Sequence, residues 1–160
     1  MGATRTEQSA LSPLYIKGFR PLKYYTVRTR NDMQKYKVDW LAFSVAFEDD
    51  EQTLDPQLME ILGYDLADFD EIPGRFFYNS GATYRNYVNV FWNDPERPWH
   101  KNSSRTMTVV FTGQGSTDLA EKWDTDWVSI FTTLKEYGGI NFTRIDLALD
   151  DYDEVVRFPD

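Results

Sequence analysis

The sequence predicts an α+β domain: an antiparallel-rich sheet with helices packed on one face. Three observations carry this. Several short runs alternate side chains with the period of two that a strand requires, and two stretches keep apolar residues three and four apart, the period of a helix. The runs are joined by hairpins with only one long crossover, which is the connectivity of an antiparallel sheet rather than of a doubly wound parallel one. The 160 residues suffice for one domain with its own core, and 41 % hydrophobic residues with 16 % aromatics provide the apolar surface to build it.

Taken in order, residues 1–35 read as a basic, partly flexible N-terminal segment and residues 36–160 as a single domain. YKVDWLAFSVAF, from Tyr36 to Phe47, is a strand that is apolar on nearly both faces, as central strands are. In the acidic run that follows, Asp55 caps and Pro56 opens a short helix with Leu54, Leu58, Ile61 and Leu62 at helical spacing. RFFYNSGATYRNYVNVFW, Arg75 to Trp92, reads as a hairpin turning around Asn79-Ser80-Gly81. NDPERPWHKNSS is a loop, and Thr106 to Gly113 a strand. A helix starts at Gly115-Ser116-Thr117-Asp118, carries Leu119, Trp123, Trp127, Ile130, Phe131, Leu134 and Tyr137 in one stripe, and stops at Gly138-Gly139. Asn141 to Asp150 is the last strand. In it Arg144, Asp146, Ala148 and Asp150 share one face, and Ile145, Leu147 and Leu149 the other, expected to be the core side.

Composition excludes several chemistries. No stretch approaches the roughly 18 apolar residues of a membrane span, and the N-terminus lacks the apolar core of a signal peptide, so a cytoplasmic protein with no membrane partner is expected. With no cysteine there is no disulfide, thiolate metal site or thiol nucleophile. The net charge of −9 is unevenly spread: residues 1–37 hold eight Lys or Arg against two acids, while residues 48–72 hold ten acids and no base. Any direct DNA contact therefore falls to Lys17, Arg20, Lys23, Arg28, Arg30 and Lys35. Glu48, Asp49, Asp50 and Glu51, with Asp151, Asp153 and Glu154, make an acidic interaction surface.

Candidate chemistry is sparse. Asp146 and Asp150 lie roughly 13 Å apart along a strand, so a metal on either needs a further ligand from a neighbouring strand; otherwise this is a solvated face with Arg144 paired across it. FTGQGS, Phe111 to Ser116, lacks the third glycine of a dinucleotide fingerprint and the lysine of a phosphate loop, which favours a tight capped turn. The single His100 sits in a loop, where surface exposure is the ordinary reading. Tyr78, Tyr84, Arg85 and Tyr87 could stack exposed bases, although aromatics on a sheet are more often core pairs. No residue is marked as catalytic.

Three stretches, VDWLAFS (38–44), FTGQGS (111–116) and above all TRIDLALDDYD (143–153), together resemble the replication initiation factor family of rolling-circle plasmids and integrative elements, which includes Rep proteins and relaxases. The resemblance covers the chain from about residue 36 and implies a Rep/relaxase-like fold and a metal-dependent DNA nickase that links its tyrosine to DNA. It makes Asp146 the first and Asp150 the second candidate ligand for Mg²⁺ or Mn²⁺. The family's tyrosine-bearing segment is expected beyond the acidic strand, and the sequence given ends at Asp160, so the expectation is a domain that binds DNA (origin or single-stranded) and a metal without nicking alone. Acidity points instead to a DNA mimic that inhibits a basic nucleic-acid enzyme such as a CRISPR or restriction nuclease. A third expectation is an autonomous enzyme using Asp146 and a local tyrosine.

Overall fold

The computed structural model describes residues 36–99 and 105–149, and Lys37–Ala148 forms one compact unit. Ten elements follow one another: β1 (Tyr36–Ala46), α1 (Pro56–Leu62), a 3-10 turn (Leu66–Asp68), β2 (Asp70–Pro73), β3 (Ser80–Tyr84), β4 (Val88–Trp92), β5 (Thr106–Phe111), α2 (Gly113–Lys122), α3 (Trp127–Tyr137) and β6 (Ile140–Leu149). The strands form one antiparallel sheet in the order β2-β3-β4-β5-β1-β6. Consecutive strands β2 to β5 make a meander, while β1 is inserted between β5 and β6. The α+β architecture expected from the sequence is therefore present.

Register decides which side chains meet. Leu41, Phe43 and Val45 of β1 stand opposite Phe111, Val109 and Met107 of β5, so six large apolar groups share one face. Onto that face pack Leu58, Met59 and Leu62 of α1, Leu119 of α2, and Ile130 and Leu134 of α3, all fully buried. Val38 joins the same cluster although it stands three positions before Leu41, an odd step that departs from the strand's alternation of two. The other face carries a smaller cluster of Ala42, Tyr78, Phe91 and Val110 with Trp40 and Ile72 against it, and no described helix contributes to it.

The helix ends follow from local chemistry. The Asp55 carboxylate accepts from the Leu58 N–H at 3.1 Å, Pro56 occupies the first turn, and Gly63 adopts φ 96°. With Gly63 left-handed, the Gly63 and Tyr64 N–H groups donate to the Glu60 and Met59 carbonyls and close α1 in a Schellman motif.

Four readings of the sequence need correction. The long helix expected to run from Gly115 to Tyr137 is two helices: Asp124 and Thr125 take φ 50° and 62°, the Thr125 N–H donates to the Ala120 carbonyl, and Asp126 caps α3 by accepting from Ser129. Three consecutive turn and cap formers override the apolar stripe. The hairpin turns at Arg85-Asn86, both with positive φ and with Tyr87 N–H bonded to the Tyr84 carbonyl, which is a type I′ turn. Ser80 and Gly81 lie inside β3, where a Cβ on Gly81 would come within 2.9 Å of the Phe91 ring. That glycine serves packing rather than turning.

The third correction is β2, a short strand hidden in the acidic run. Its DEIP sequence, charged and ending in proline, suits the sheet edge it occupies. The fourth concerns β6. Ile145 and Leu147, expected in the core, are 43 % and 70 % exposed. Instead Phe142 meets Phe43 and Phe131 edge-on, so the phase of Ile140 and Phe142 faces the helices. The period of two was legible; its phase was set by pairing with β1.

Candidate nucleic-acid interface

The three stretches that carry the family resemblance are far apart in sequence: VDWLAFS lies in β1, Phe111 of FTGQGS ends the neighbouring β5 while its other residues cap and open α2, and residues 143–149 of the third lie in β6 on the other side of β1. They converge on Asp39, Trp40 and Leu41. Leu41 pairs with Phe111 at the start of FTGQGS. A Cβ on Gly113 would lie 3.2 Å from the Asp39 carboxylate. From β6, the Arg144 guanidinium lies 4.5 Å from the centroid of the Trp40 ring, a cation–π contact.

Asp146 sits beside this junction, where Arg144 grips both of its carboxylate oxygens, with Nε at 2.9 and 3.1 Å and Nη2 also bonded. The guanidinium hydrogen bond holds the Asp146 carboxyl below the usual carboxylate range, so it is ionised at neutral pH. A cation arriving at Asp146 would have to displace Arg144. Among the described residues no group of three or more His, Asp or Glu is placed to hold a metal. Asp150, expected to be the second ligand, lies outside the described residues, as do His100, Lys17, Arg20, Lys23, Arg28, Arg30, Lys35, Asp151, Asp153 and Glu154.

Glu48, Asp49, Asp50 and Glu51 form an exposed turn after β1. The Asp49 carboxylate accepts from the Glu51 N–H at 2.9 Å, and Asp50 pairs with Arg105. Nineteen Asp or Glu face eight Lys or Arg among the described residues, and Asp55 is the one buried carboxylate among them.

The tyrosines expected near one another are divided by the sheet. Tyr84 and Tyr87 pack edge-on at 5.8 Å on the helical side, where Tyr64 also meets Tyr84. There the Tyr64 hydroxyl donates to Asp118 at 2.7 Å, and burial together with that bond raises its pKa, so it is no nucleophile at neutral pH. Tyr78 lies on the opposite face, buried, with its hydroxyl 3.0 Å from the Thr108 hydroxyl and also bonded to Thr106. FTGQGS behaves as a packed turn: Thr112 caps α2, and Gly115 leaves room for the Tyr87 carbonyl, which a Cβ would approach to 2.2 Å.

Sequence reasoning missed the aromatics that are exposed. Phe76 and Phe77 stand 62 % and 71 % open to solvent with φ of 55° and 68°. Nearby, a groove of about 240 Å³ on the helix-free side of the sheet is lined by Ile72, Pro73, Arg75, Thr83, Asn86, Asn89 and Phe91, the last in contact with Phe76. Two aromatics beside a strand read as core, and nothing in residue type announces a left-handed backbone there.

Comparison of the chain with known protein families, with curated proteins and with solved structures returned no match.

Proposed function

We propose that this chain is a replication-initiation-factor-like domain of a mobile genetic element that binds DNA, with Asp146 and Asp150 as its candidate contacts to Mg²⁺ or Mn²⁺. The observation that supports the reading is that Phe111 and Gly113 of FTGQGS and Arg144 of TRIDLALDDYD all approach Asp39–Leu41 of VDWLAFS. Binding of single-stranded and duplex DNA, followed by fluorescence anisotropy, is expected to weaken steeply between 50 and 300 mM salt as phosphate counterions cease to be released. Absence of binding to either at low salt would remove the reading.

The metal is tested separately. Mn²⁺ titration by calorimetry should show one site, weakened at least tenfold in Asp146→Ala and strengthened in Arg144→Gln, which frees the carboxylate.

A second reading is favoured by the charge of the described body, nineteen acids to eight bases with nearly every carboxylate at the surface. Such a surface imitates a phosphate backbone and suits a basic nuclease as partner. Full inhibition of that nuclease by a variant with reversed charges across residues 48–72 would count against it.

A further inference from the structure

We infer that the loop from Gly74 to Asn79, with the groove that adjoins it, is a binding site for an unstacked base of single-stranded DNA. The inference rests on the DNA-binding reading above and assigns to it a site outside the junction at Asp39–Leu41.

The loop is built to hold its rings outward. At its start, a Cβ on Gly74 would fall 2.2 Å from the Tyr78 carbonyl oxygen, so the chain doubles back on itself there. At its end, Tyr78 is pinned to β5 by Thr106 and Thr108. The Asn79 side chain then accepts from the Asp94 N–H at 2.7 Å and donates to the Asp94 carbonyl at 3.0 Å. Between these anchors Phe76 and Phe77 keep left-handed backbones, which bulky side chains adopt only where surrounding structure enforces it. Phe76 rests edge-on at 5.4 Å against Phe91, which itself lines the groove, so the loop and the groove are joined through this aromatic pair.

The groove supplies the polar partners that a base and its phosphate need. Thr83 donates to the Asn89 side-chain oxygen at 2.6 Å, which fixes that amide and leaves its nitrogen to donate. Asn86 presents a second amide from the hairpin turn, and Arg75 brings a cation to the same wall. Exposed aromatics, side-chain amides and one guanidinium are the components with which single-strand binders stack a base, read its edge and neutralise its phosphate. A paired base in a duplex offers no free face to the rings. Stacking also does not depend on net positive charge, so it can act on a negatively charged body where electrostatic attraction alone could not.

The test uses the full chain, a fifteen-nucleotide oligothymidine, a copy with abasic sites, and a duplex of equal length. Phe77→Ala removes a solvent-exposed ring and leaves the core in place; Phe77→Trp enlarges the ring and guards against misreading a folding defect. Phe77→Ala should weaken oligothymidine binding by about 5- to 100-fold, Phe77→Trp should bind at least as tightly as the parent, and duplex affinity should stay unchanged. Abasic sites should cost the parent a similar factor and the Phe77→Ala variant little. Arg75→Gln should reduce the salt slope for single strands by about 0.7. Unchanged oligothymidine affinity in Phe77→Ala, or an equal loss on duplex and single strand, overturns the inference while leaving DNA binding intact. Failure of the parent to bind any DNA overturns the functional reading itself.

Discussion

Asp55 shows how one buried side chain can join two distant elements. One carboxylate oxygen caps α1 at the Leu58 N–H, and the other accepts the Tyr137 hydroxyl at 2.6 Å from the end of α3. Burial, then the hydrogen bond to Asp55, pushes the Tyr137 hydroxyl up to about 12. A group whose folded pKa is raised stabilises fully below its unfolded value, about 10 for tyrosine, and loses that contribution as pH rises through the folded value. Urea unfolding midpoints should therefore fall between pH 10 and about 12. Tyr137→Phe should lower stability by about 1–3 kcal/mol at pH 7, because Asp55 loses a partner while buried, and should make that alkaline fall shallower, the remainder coming from Tyr64, whose hydroxyl pKa is also raised by burial and by Asp118. Asp146 works in the opposite sense: Arg144 lowers its pKa, so the pair holds at neutral pH and loosens as pH drops below the ordinary carboxylate range. In Arg144→Gln the Asp146 carboxyl, followed by carbon NMR, should titrate closer to an unperturbed aspartate.

At the level of elements, the junctions carry more information than the strands and helices they join. Thr125 holds a left-handed backbone although its side chain is β-branched, because the break between α2 and α3 requires it. Thr125→Gly should raise stability by about 0.5–1 kcal/mol, since relief of left-handed strain exceeds the added chain entropy. A fall in the urea midpoint would contradict that account. Gly115 offers the converse case. In a free helix, replacing glycine by alanine stabilises, yet here the new methyl would meet the Tyr87 carbonyl at 2.2 Å. Gly115→Ala should thus cost about 1–3 kcal/mol, a reversal of sign that a urea titration reads directly.

At the scale of the whole molecule, charge opposes folding. A described body with nineteen acids and eight bases repels itself, so raising NaCl from 20 to 500 mM should raise the melting temperature. On the proposed DNA-binding reading, affinity for DNA should fall over the same range, which separates the two effects of salt in one series of experiments. A melting temperature that fell with salt would mean that ion pairs such as Arg97–Glu71 outweigh the repulsion. Among the described residues, no helix is long and apolar enough to cross a membrane.

Local periodicity and the backbone preferences of a few neighbouring residues sufficed for the α+β class, the strands starting at Tyr36 and Thr106, the cap at Asp55 and the end of the last helix at Gly138-Gly139, though not for the start of α2 at Gly113, inside the stretch read as strand. The sequence also placed Arg144 and Asp146 on one strand face, and the structure adds that they are bonded to each other. Tertiary structure alone decided which phase of β6 faces the core, since that depends on Phe142 finding Phe43 nearly a hundred residues earlier. It likewise decided that Phe76 and Phe77 stand in solvent while Tyr78 is buried, through anchors on β5 and on the turn at Asp94. Side-chain alternation is a local property, but the choice of which side is inside belongs to the partner strand, and no window of neighbouring residues contains it.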